Sequence, residues 1–502
     1  MRSIHLYQKC FLSVCFDTIV HPKQLKKFAS TSYTSHNKFK MVDSLQSDNS
    51  EARETALHPP ATVRGLTKLD KVAFSKNVVV PCIEFNVTSV KLQDLRKTLH
   101  KYLLRMENLK PLQVIGNTEA VNDDAKSVMR RFLLNPTIIT SFNDFPEEEK
   151  VQLLKQNITE NSLCYTNIML NFDNWKAEVL LKSVLPSDLE PLTSYSIIGH
   201  IIHVNIREHL FPFKIIIGEI LLEKIKNAKT VVNKTDIIDN TYRNFKMEIL
   251  CGENNLITQV RENHCTFELD FATVYWNPRL STEHERIISK LKPSDVLYDV
   301  FAGIGPFAIP ACKRKCFVLA NDLNPEAHKW LVRNGQLNKV TEYLRTFNKD
   351  GTDFIINDVK KDMLERWKNG KCDGSTMHIT MNLPALAVTF LKVFSGLFEL
   401  GDNVPPDTFI EPVVHVYCFC KGDTSDNAAI SLVEENLGHK ISQNLVEVYN
   451  IRNVAVNKDM MRVTFKLTKE ILVNNQSRDL CQDGEPSMKR RRPDSDDGEG
   501  KT

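Results

Sequence analysis

The 502-residue sequence is poor in several things at once. Its 18 glycines and 21 prolines are too few for a collagen-like or low-complexity chain. No uninterrupted apolar run approaches the ~18–20 residues that a membrane-spanning helix needs, so an integral membrane protein is not expected. Neither sign of charge dominates: 65 Lys and Arg stand against 62 Asp and Glu, a net charge of +3. Any nucleic-acid partner must then be met by a local basic surface. The 12 cysteines include no CxxC pair, so a zinc ribbon is not expected, nor any metal site. Free thiols in a reducing compartment are the default. Cys418 and Cys420, in the apolar run VHVYCFC, stand two apart and share one face of a strand as core residues. What is present, 42% hydrophobic and 25% charged residues, is close to a globular average. The length suggests about two to four domains.

The two ends read differently from the middle. Residues 1–40 hold seven basic residues, Arg2, Lys9, Lys23, Lys26, Lys27, Lys38 and Lys40, against one acid, Asp17. A basic, hydroxyl-rich, acid-poor start reads as a mitochondrial presequence. Met41 then offers a second start, giving a product outside mitochondria. Residues 41–60 are polar and read as a disordered linker. The tail, 471–502, carries KRRR at 489–492 followed by PDSDDGEG, a nuclear signal, a weak RNA contact or a solubilising tail.

Three modules lie between. Residues 61–185 predict a small α/β module, with a strand in NVVVPCIEFNV (77–87), a helix over 90–106 and another in EEEKVQLLKQ. Residues 186–283 predict a mixed α/β middle domain. There REHLFPFKIIIGEILLEKI reads as a helix broken near Pro212, and Cys265, Phe267, Leu269 and Phe271 alternate onto one strand face. In 284–470 the apolar runs SDVLYDVF, CFVLAND, HITMN and VVHVYCF alternate with helical stretches. That pattern implies a parallel sheet wrapped by helices.

Five local strings carry chemistry. In DVFAGIGPFAIPA a strand runs into a turn at Gly303 and Gly305 and on into a helix. Asp299 ahead of the turn suits a cationic or hydroxylated ligand. The D-x-x-x-G-x-G spacing differs from the dinucleotide fingerprint G-x-G-x-x-G. Asp322, 17 residues after Gly305, ends a second strand, where an acid either accepts the ribose hydroxyls of an adenosine or stands by the helix that Asn324-Pro325-Glu326 begins. Asp350-Gly351 is a turn that either contacts an adenine ring or is only a turn. Asn382-Leu383-Pro384 places an amide after the strand HIT. It suits either a planar base or the methionine end of a cofactor, or is an ordinary turn. In VYWNPRLSTEHERI, Ser281 or Thr282 is expected to cap a helix beginning at Glu283. That carboxylate in a first turn stays ionised whether or not it is catalytic. Tyr275 and Trp276 are candidates for stacking on a base, or for the core.

Taken in order, PPATVRGLTKLDKVAF (59–74), IGHIIHVNIREHL (198–210), YRNFKMEIL (242–250) and these strings resemble the eukaryotic and archaeal tRNA (guanine37-N1)-methyltransferase family. The resemblance covers about 59–470. It implies a class I, Rossmann-like α/β methyltransferase domain with a middle domain and an N-terminal module that reads tRNA. It also implies S-adenosylmethionine as cofactor and methyl transfer to N1 of guanosine 37, in support of reading-frame maintenance. By resemblance Glu283 is the general base, Arg243 steadies the guanine O6 and Asn382 orients the base. His284, Asp322, Leu323, Asp350, Gly351 and Asn382 take cofactor positions beside Asp299, Gly303 and Gly305. Val456, and Leu467-Thr468 in the segment 454–469, depart from the family pattern in a stretch expected to pack the last hairpin. A wybutosine-pathway aminocarboxypropyltransferase is the nearest rival; a tRNA-binding scaffold that has lost catalysis is the other. No heptad repeat suggests a dimer, so a monomer acting on tRNA in the mitochondrial matrix, nucleus and cytoplasm is expected.

Overall fold

The structure is a computed structural model. It describes residues 55–115, 129–192, 194–238, 245–370, 374–421, 425–455 and 457–473. Residues 1–40, the KRRR cluster, Arg243 and Val456 lie outside the described residues. Among the described residues, no helix is long and apolar enough to cross a membrane.

The chain divides into two compact units, one of residues up to 63 with 71–179, the other of 64–70 with the chain from 180 onward. In the first unit, strands β1 (Lys76–Asn86), β2 (Leu112–Val114), β3 (Met129–Leu133) and β4 (Leu163–Leu170) form an antiparallel sheet of order β2-β3-β1-β4. Ile83, Phe85, Leu95, Leu99, Phe132 and Phe145 close its core. The helix expected over 90–106 stops after Leu92–Leu99. Beyond it Leu103 pairs with Leu134 in an antiparallel bridge, so strand-like pairing takes over the rest of the periodic run. The segment 41–60 is not linker to its end. The Trp175 indole donates to the Leu57 carbonyl at 2.7 Å, and Lys76 Nζ donates to the Thr55 and His58 carbonyls.

The second unit begins with β5 (Tyr195–Ile198), β6 (Ile201–Val204), β7 (Thr230–Ile238) and β8 (Phe245–Gly252), paired in that order with β6 and β7 parallel. The β6–β7 crossover contains the 3-10 turn Glu208–Phe213, which holds Pro212, and then the helix Lys214–Lys224; proline cannot donate within the ladder, and the regular helix begins after it. β9 (Ile257–Glu262) and β10 (Cys265–Asp270) make a hairpin with Cys265, Phe267 and Leu269 buried.

The hairpin leads into a seven-stranded sheet. It comprises β11 (Val296–Asp299), β12 (Phe317–Asn321), β13 (Leu344–Phe347), β14 (Met377–Met381), β15 (Val413–Cys420), β16 (Leu445–Ala455) and β17 (Lys458–Lys466), in the order β13-β12-β11-β14-β15-β17-β16. The first five are parallel; β17 alone runs against them, and β16 pairs antiparallel with β17 at the edge, a hairpin that strand–helix alternation does not reveal. Both faces are buried, which explains the unbroken apolar runs. Val296, Tyr298, Ile379, Val414 and Cys418 face one core with Trp367 and Val433, while Leu297, Val318, Ala320 and Tyr417 face another with Ile287, Phe307 and Leu331. The ordered fold runs a few residues beyond 470: the helix Lys469–Leu472 buries Ile471 and Leu472.

Strand order reverses at β11. The chain passes to β12 and β13 on one side, then crosses to β14 and β15 on the other. Loops leaving the carboxyl ends of β11 and β14 therefore diverge and open a crevice.

Candidate active site

Three loops at the carboxyl edge of the sheet are bonded into one unit. After β11, the Gly303 N–H donates to Asp322 Oδ2 at 2.7 Å, and the Asn324 N–H donates to Asp322 Oδ1 at 2.9 Å. Asn321 Nδ2 donates to the carbonyls of Val300 and Lys349, and Asn348 Nδ2 to those of Asp322 and Leu323. The two glycines have separate reasons. Gly303 (φ +55°) would carry its Cβ into open space, whereas at Gly305 (φ +99°) a Cβ would lie 2.8 Å from both Ile309 Cγ1 and Leu331 Cδ1. Gly303 leaves room for a ligand; Gly305 lets the following turns pack.

The same edge holds acceptors that the chain does not satisfy. Asp299 is wholly buried; its Oδ1 accepts from Thr380 Oγ1 at 2.9 Å and its Oδ2 has no partner. Burial pushes its carboxyl up to about 7, with the Thr380 bond opposing and the nearby Asp322 carboxylate adding to the rise. Asn382, after β14, likewise has a buried Oδ1 without a partner. Burial also raises Asp322, against the two backbone donors. A carboxylate has about four lone-pair directions, so those donors leave room for a hydroxyl. Asp350 caps the helix Gly351–Phe354 by accepting from the Thr352 N–H at 2.8 Å, so this segment starts a helix that continues through the π turn Ile355–Val359, rather than being only a turn. Gly351 is buried where a Cβ would meet Phe301 and Phe390 at 3.0 and 3.1 Å. Leu323 is exposed.

These features fit S-adenosylmethionine. Its ammonium, ribose hydroxyls and adenine amino group are donors, and the edge offers Asp299 Oδ2, Asn382 Oδ1 and Asp322 as acceptors. A phosphate would instead meet carboxylates.

Glu283 lies in the first turn of the helix Ser281–Lys290 and is buried. The expected cap at Ser281 or Thr282 is replaced by Asn277, whose side chain accepts from the Arg279 N–H ahead of the 3-10 turn Pro278–Leu280; Pro278 starts the turn one residue after that cap. Three groups hold the carboxylate. Arg286 Nη1 donates to Oε2 at 2.8 Å, the Tyr417 hydroxyl donates to Oε1 at 3.1 Å, and Arg462 Nε lies 2.7 Å from Oε1. The Arg462 Nε–H is not aimed along that line, so this last contact is an ion pair without a hydrogen bond. Burial and the Glu283 charge push the Tyr417 phenol well above its ordinary value, so it stays a donor.

His284 is buried, with Nδ1 2.6 Å from Glu262 Oε1 of β9 and its ring edge-on to Phe307 at 4.7 Å. Phe307, just after the glycine turn, is thereby the packing link between the Glu283 helix and the cofactor edge. Tyr275 is half exposed, its hydroxyl accepting from Asn277 Nδ2, while Trp276 is buried against Phe267 and belongs to the core. The fold thus gathers Asp299, Gly303, Gly305, Asp322, Leu323, Asp350, Gly351 and Asn382 along one sheet edge, with Glu283 and His284 adjoining through Phe307. Tyr417, Arg462, Thr380 and Glu262 were not visible as partners in the sequence. Tyr417 stands 134 residues from Glu283, and no local spacing encodes such a pair.

Comparison with known proteins agrees with this geometry. Residues 258–394 match the TRM5/TYW2 methyltransferase domain and residues 177–255 the TYW2 N-terminal domain. The chain is similar to the tRNA (guanine(37)-N(1))-methyltransferases of Drosophila pseudoobscura pseudoobscura (44% identity, 84% of this chain and 92% of that protein), Mus musculus (42%, 86% and 84%) and Homo sapiens (40%, 90% and 86%). In fold it is similar to Trm5b from Pyrococcus abyssi, at 23% identity and a TM-score of 0.52, over 77% of this chain and 99% of that one. The aTrm5 chain of a complex with tRNALeu gives 20% identity and the same TM-score over the same shares. With relatives this similar over most of their length, the chain belongs to the tRNA (guanine(37)-N(1))-methyltransferase family, whose cofactor is S-adenosylmethionine.

Proposed function

We infer that this chain methylates ring N1 of guanosine 37 in tRNA, beside the anticodon. The observation that carries the reading is a buried carboxylate, Glu283, whose neighbour His284 packs on Phe307 beside a sheet edge where Asp299 Oδ2 and Asn382 Oδ1 lack partners. Bound there, S-adenosylmethionine supplies an electrophilic methyl group on sulfonium. Asp299, Asp322, Asp350 and Asn382 hold it by accepting hydrogen bonds, and Gly303 leaves space for it. Guanine N1 bears a proton at neutral pH and must lose it before its lone pair can attack. Glu283 is the base that accepts that proton, a role typically contributing about 10²–10⁴-fold. Charge then grows on O6, where the Arg243 guanidinium is the matching donor by family resemblance. Asn382 orients the base, and the stacked loop nucleotide is splayed out to reach it. Methyl transfer from sulfonium is complete without a metal.

The enzyme acts as a monomer on tRNA. The acid-poor segment 1–40 directs the full chain to the mitochondrial matrix, while a product from Met41 serves the cytoplasm and nucleus. Tagged forms starting at Met1 and at Met41 test this; equal mitochondrial signal from both refutes it. The activity test is mass spectrometry of tRNA incubated with enzyme and methyl-labelled cofactor. Labelled 1-methylguanosine at position 37 with release of S-adenosylhomocysteine is expected. Release of methylthioadenosine with an aminocarboxypropyl product overturns methyl transfer.

A further inference from the structure

The Glu283 carboxylate is held asymmetrically. Both partners of Oε1, Tyr417 and Arg462, are wholly buried. The partner of Oε2, Arg286, has a side chain 30% exposed, at the solvent side of the pair. Arg462 is enclosed on every side. Its Nη1 donates to Thr464 Oγ1 at 2.9 Å and to Glu447 Oε2 at 3.1 Å. Glu447 is tied to Lys290 at 2.6 Å, and the Thr464 hydroxyl meets His415 Nδ1 at 3.1 Å. Tyr449 packs under both guanidiniums, 3.9 Å from that of Arg286 and 5.5 Å from that of Arg462.

A buried ion pair is weak evidence for stability, because desolvating both charges offsets most of their attraction. The cost is higher here: Arg462 Nη2 is buried without any partner. A fold seeking only stability would do as well with apolar side chains at both 283 and 462. What Arg462 does provide is a fixed positive charge and, with Tyr417, a fixed direction at one oxygen of the base.

We propose that Arg462 and Tyr417 are positioning residues for the methyl transfer, clamping Oε1 of Glu283 so that Oε2, uncovered when Arg286 swings away, is the atom that takes the guanine N1 proton. The inference rests on Glu283 being the base. The N1–H bond breaks and its electron pair stays on N1; the proton forms an O–H bond on Oε2, leaving a neutral carboxylic acid. The N1 pair then forms the N–CH₃ bond as the S–CH₃ pair remains on sulfur. Throughout, Oε1 keeps its hydrogen bond from Tyr417, so the acid cannot rotate away from the base it has just deprotonated.

The groups facing Glu283 are Arg286 on its own helix, Tyr417 on β15 and Arg462 on β17. Glu447 and Tyr449 of β16 stand behind the arginines, and the adjacent His284 is bonded to Glu262 of β9. Removing a donor or a positive charge from Oε1 makes the carboxylate easier to protonate, and the rate requires it ionised. The acid limb of the rate profile must therefore move to higher pH.

Single-turnover methylation of tRNA, followed from pH 5 to 9 at saturating cofactor, tests this in the full-length enzyme. Tyr417→Phe is expected to raise the midpoint of the acid limb by about one pH unit and Arg462→Met by about two, with Arg462→Lys in between. The dissociation constants of tRNA and cofactor stay within about twofold. A structural role alone would scale the rate by one factor at every pH, and profiles that superimpose on wild type after such scaling overturn the proposal. Should the Arg462 variants fail to fold, Tyr417→Phe, which keeps the ring, decides on its own. Glu283→Gln separates the two readings: a wild-type rate there removes the base assignment itself. A slow Glu283→Gln enzyme beside unshifted Tyr417→Phe and Arg462→Lys profiles removes only the positioning role.

Discussion

The two halves of the site are built on opposite principles. Along the carboxyl edges of β11 and β14, Asp299 Oδ2 and Asn382 Oδ1 are buried with nothing to bond. At the start of the Ser281–Lys290 helix, both oxygens of Glu283 are covered by three groups. Buried acceptors without partners each cost about 1–3 kcal/mol, which a donor-rich ligand recovers on binding. A carboxylate gripped at both oxygens is oriented in advance of a reaction, and the directions left open on it are where a proton can go. One half is prepared for affinity, the other for rate, and substitutions should separate along that line.

The largest effect belongs to the rate half. Glu283→Gln keeps the shape and removes the proposed base, so single-turnover methylation should fall by about 10²-fold or more, with tRNA and cofactor affinity nearly unchanged. Raising the pH should restore part of the loss, because solvent then removes the N1 proton. A rate near wild type at neutral pH and saturating substrates would show that the three groups merely stabilise the fold.

On the affinity half, Asp322→Ala should weaken S-adenosylmethionine by about 1.5–3 kcal/mol, the scale of a hydrogen bond to a charged group. Asp322 also holds the Gly303 N–H, so part of the loss is loosening of the glycine turn. Binding of tRNA alone should change little, since phosphate contacts dominate it. Calorimetry decides, and an unchanged cofactor dissociation constant would place the ribose elsewhere. Gly305→Ala should have a smaller consequence, and on folding. Its Cβ would press on Ile309 and Leu331 at a positive φ, for about 1–2 kcal/mol and a lowered Tm. Gly303→Ala meets no neighbour, so only the strain of its positive φ falls on folding, and the added methyl should impair cofactor binding. Equal losses of Tm would erase the distinction drawn between the two glycines.

The affinity half was largely legible in the sequence and the rate half was not. Loops at strand ends are local: DVFAGIGP, NDLNPEA and MNLP each carry their residues within a few positions, so type and spacing suffice. The strands were legible because a sheet buried on both faces leaves apolar runs, as in VHVYCFC. Strand order and the antiparallel β16–β17 hairpin depend on pairing between distant segments, which no period records. Glu283 itself stood in a recognisable string, but its partners come from β15 and β17, and Arg462 drew notice only as part of the last hairpin. The helix cap was misplaced for a local reason: Asn277, not Ser281, precedes the proline that starts the turn.

The finest test of the contrast is Asp299, because its carboxyl titrates near neutral pH. Burial pushes it up to about 7, so in the free enzyme it is mostly protonated at pH 6 and mostly ionised at pH 8. S-adenosylmethionine carries an ammonium and a sulfonium, and a cation beside a carboxylate favours the ionised form. Binding therefore draws on the ionised fraction, and affinity should rise with pH by up to about tenfold between 6 and 8, levelling off above. Asp299→Asn keeps the size and the Thr380 contact but cannot ionise. Its affinity should be flat across that range and, at pH 8, weaker than wild type by a factor of the same order. The rate half predicts the opposite pattern for Glu283→Gln, which leaves this pH-dependent affinity intact. Calorimetric titration of cofactor into each protein at pH 6, 7 and 8 makes the comparison. If wild-type affinity proves independent of pH while Asp299→Asn matches it throughout, the unpaired Oδ2 is a feature of the fold and not an acceptor for the cofactor.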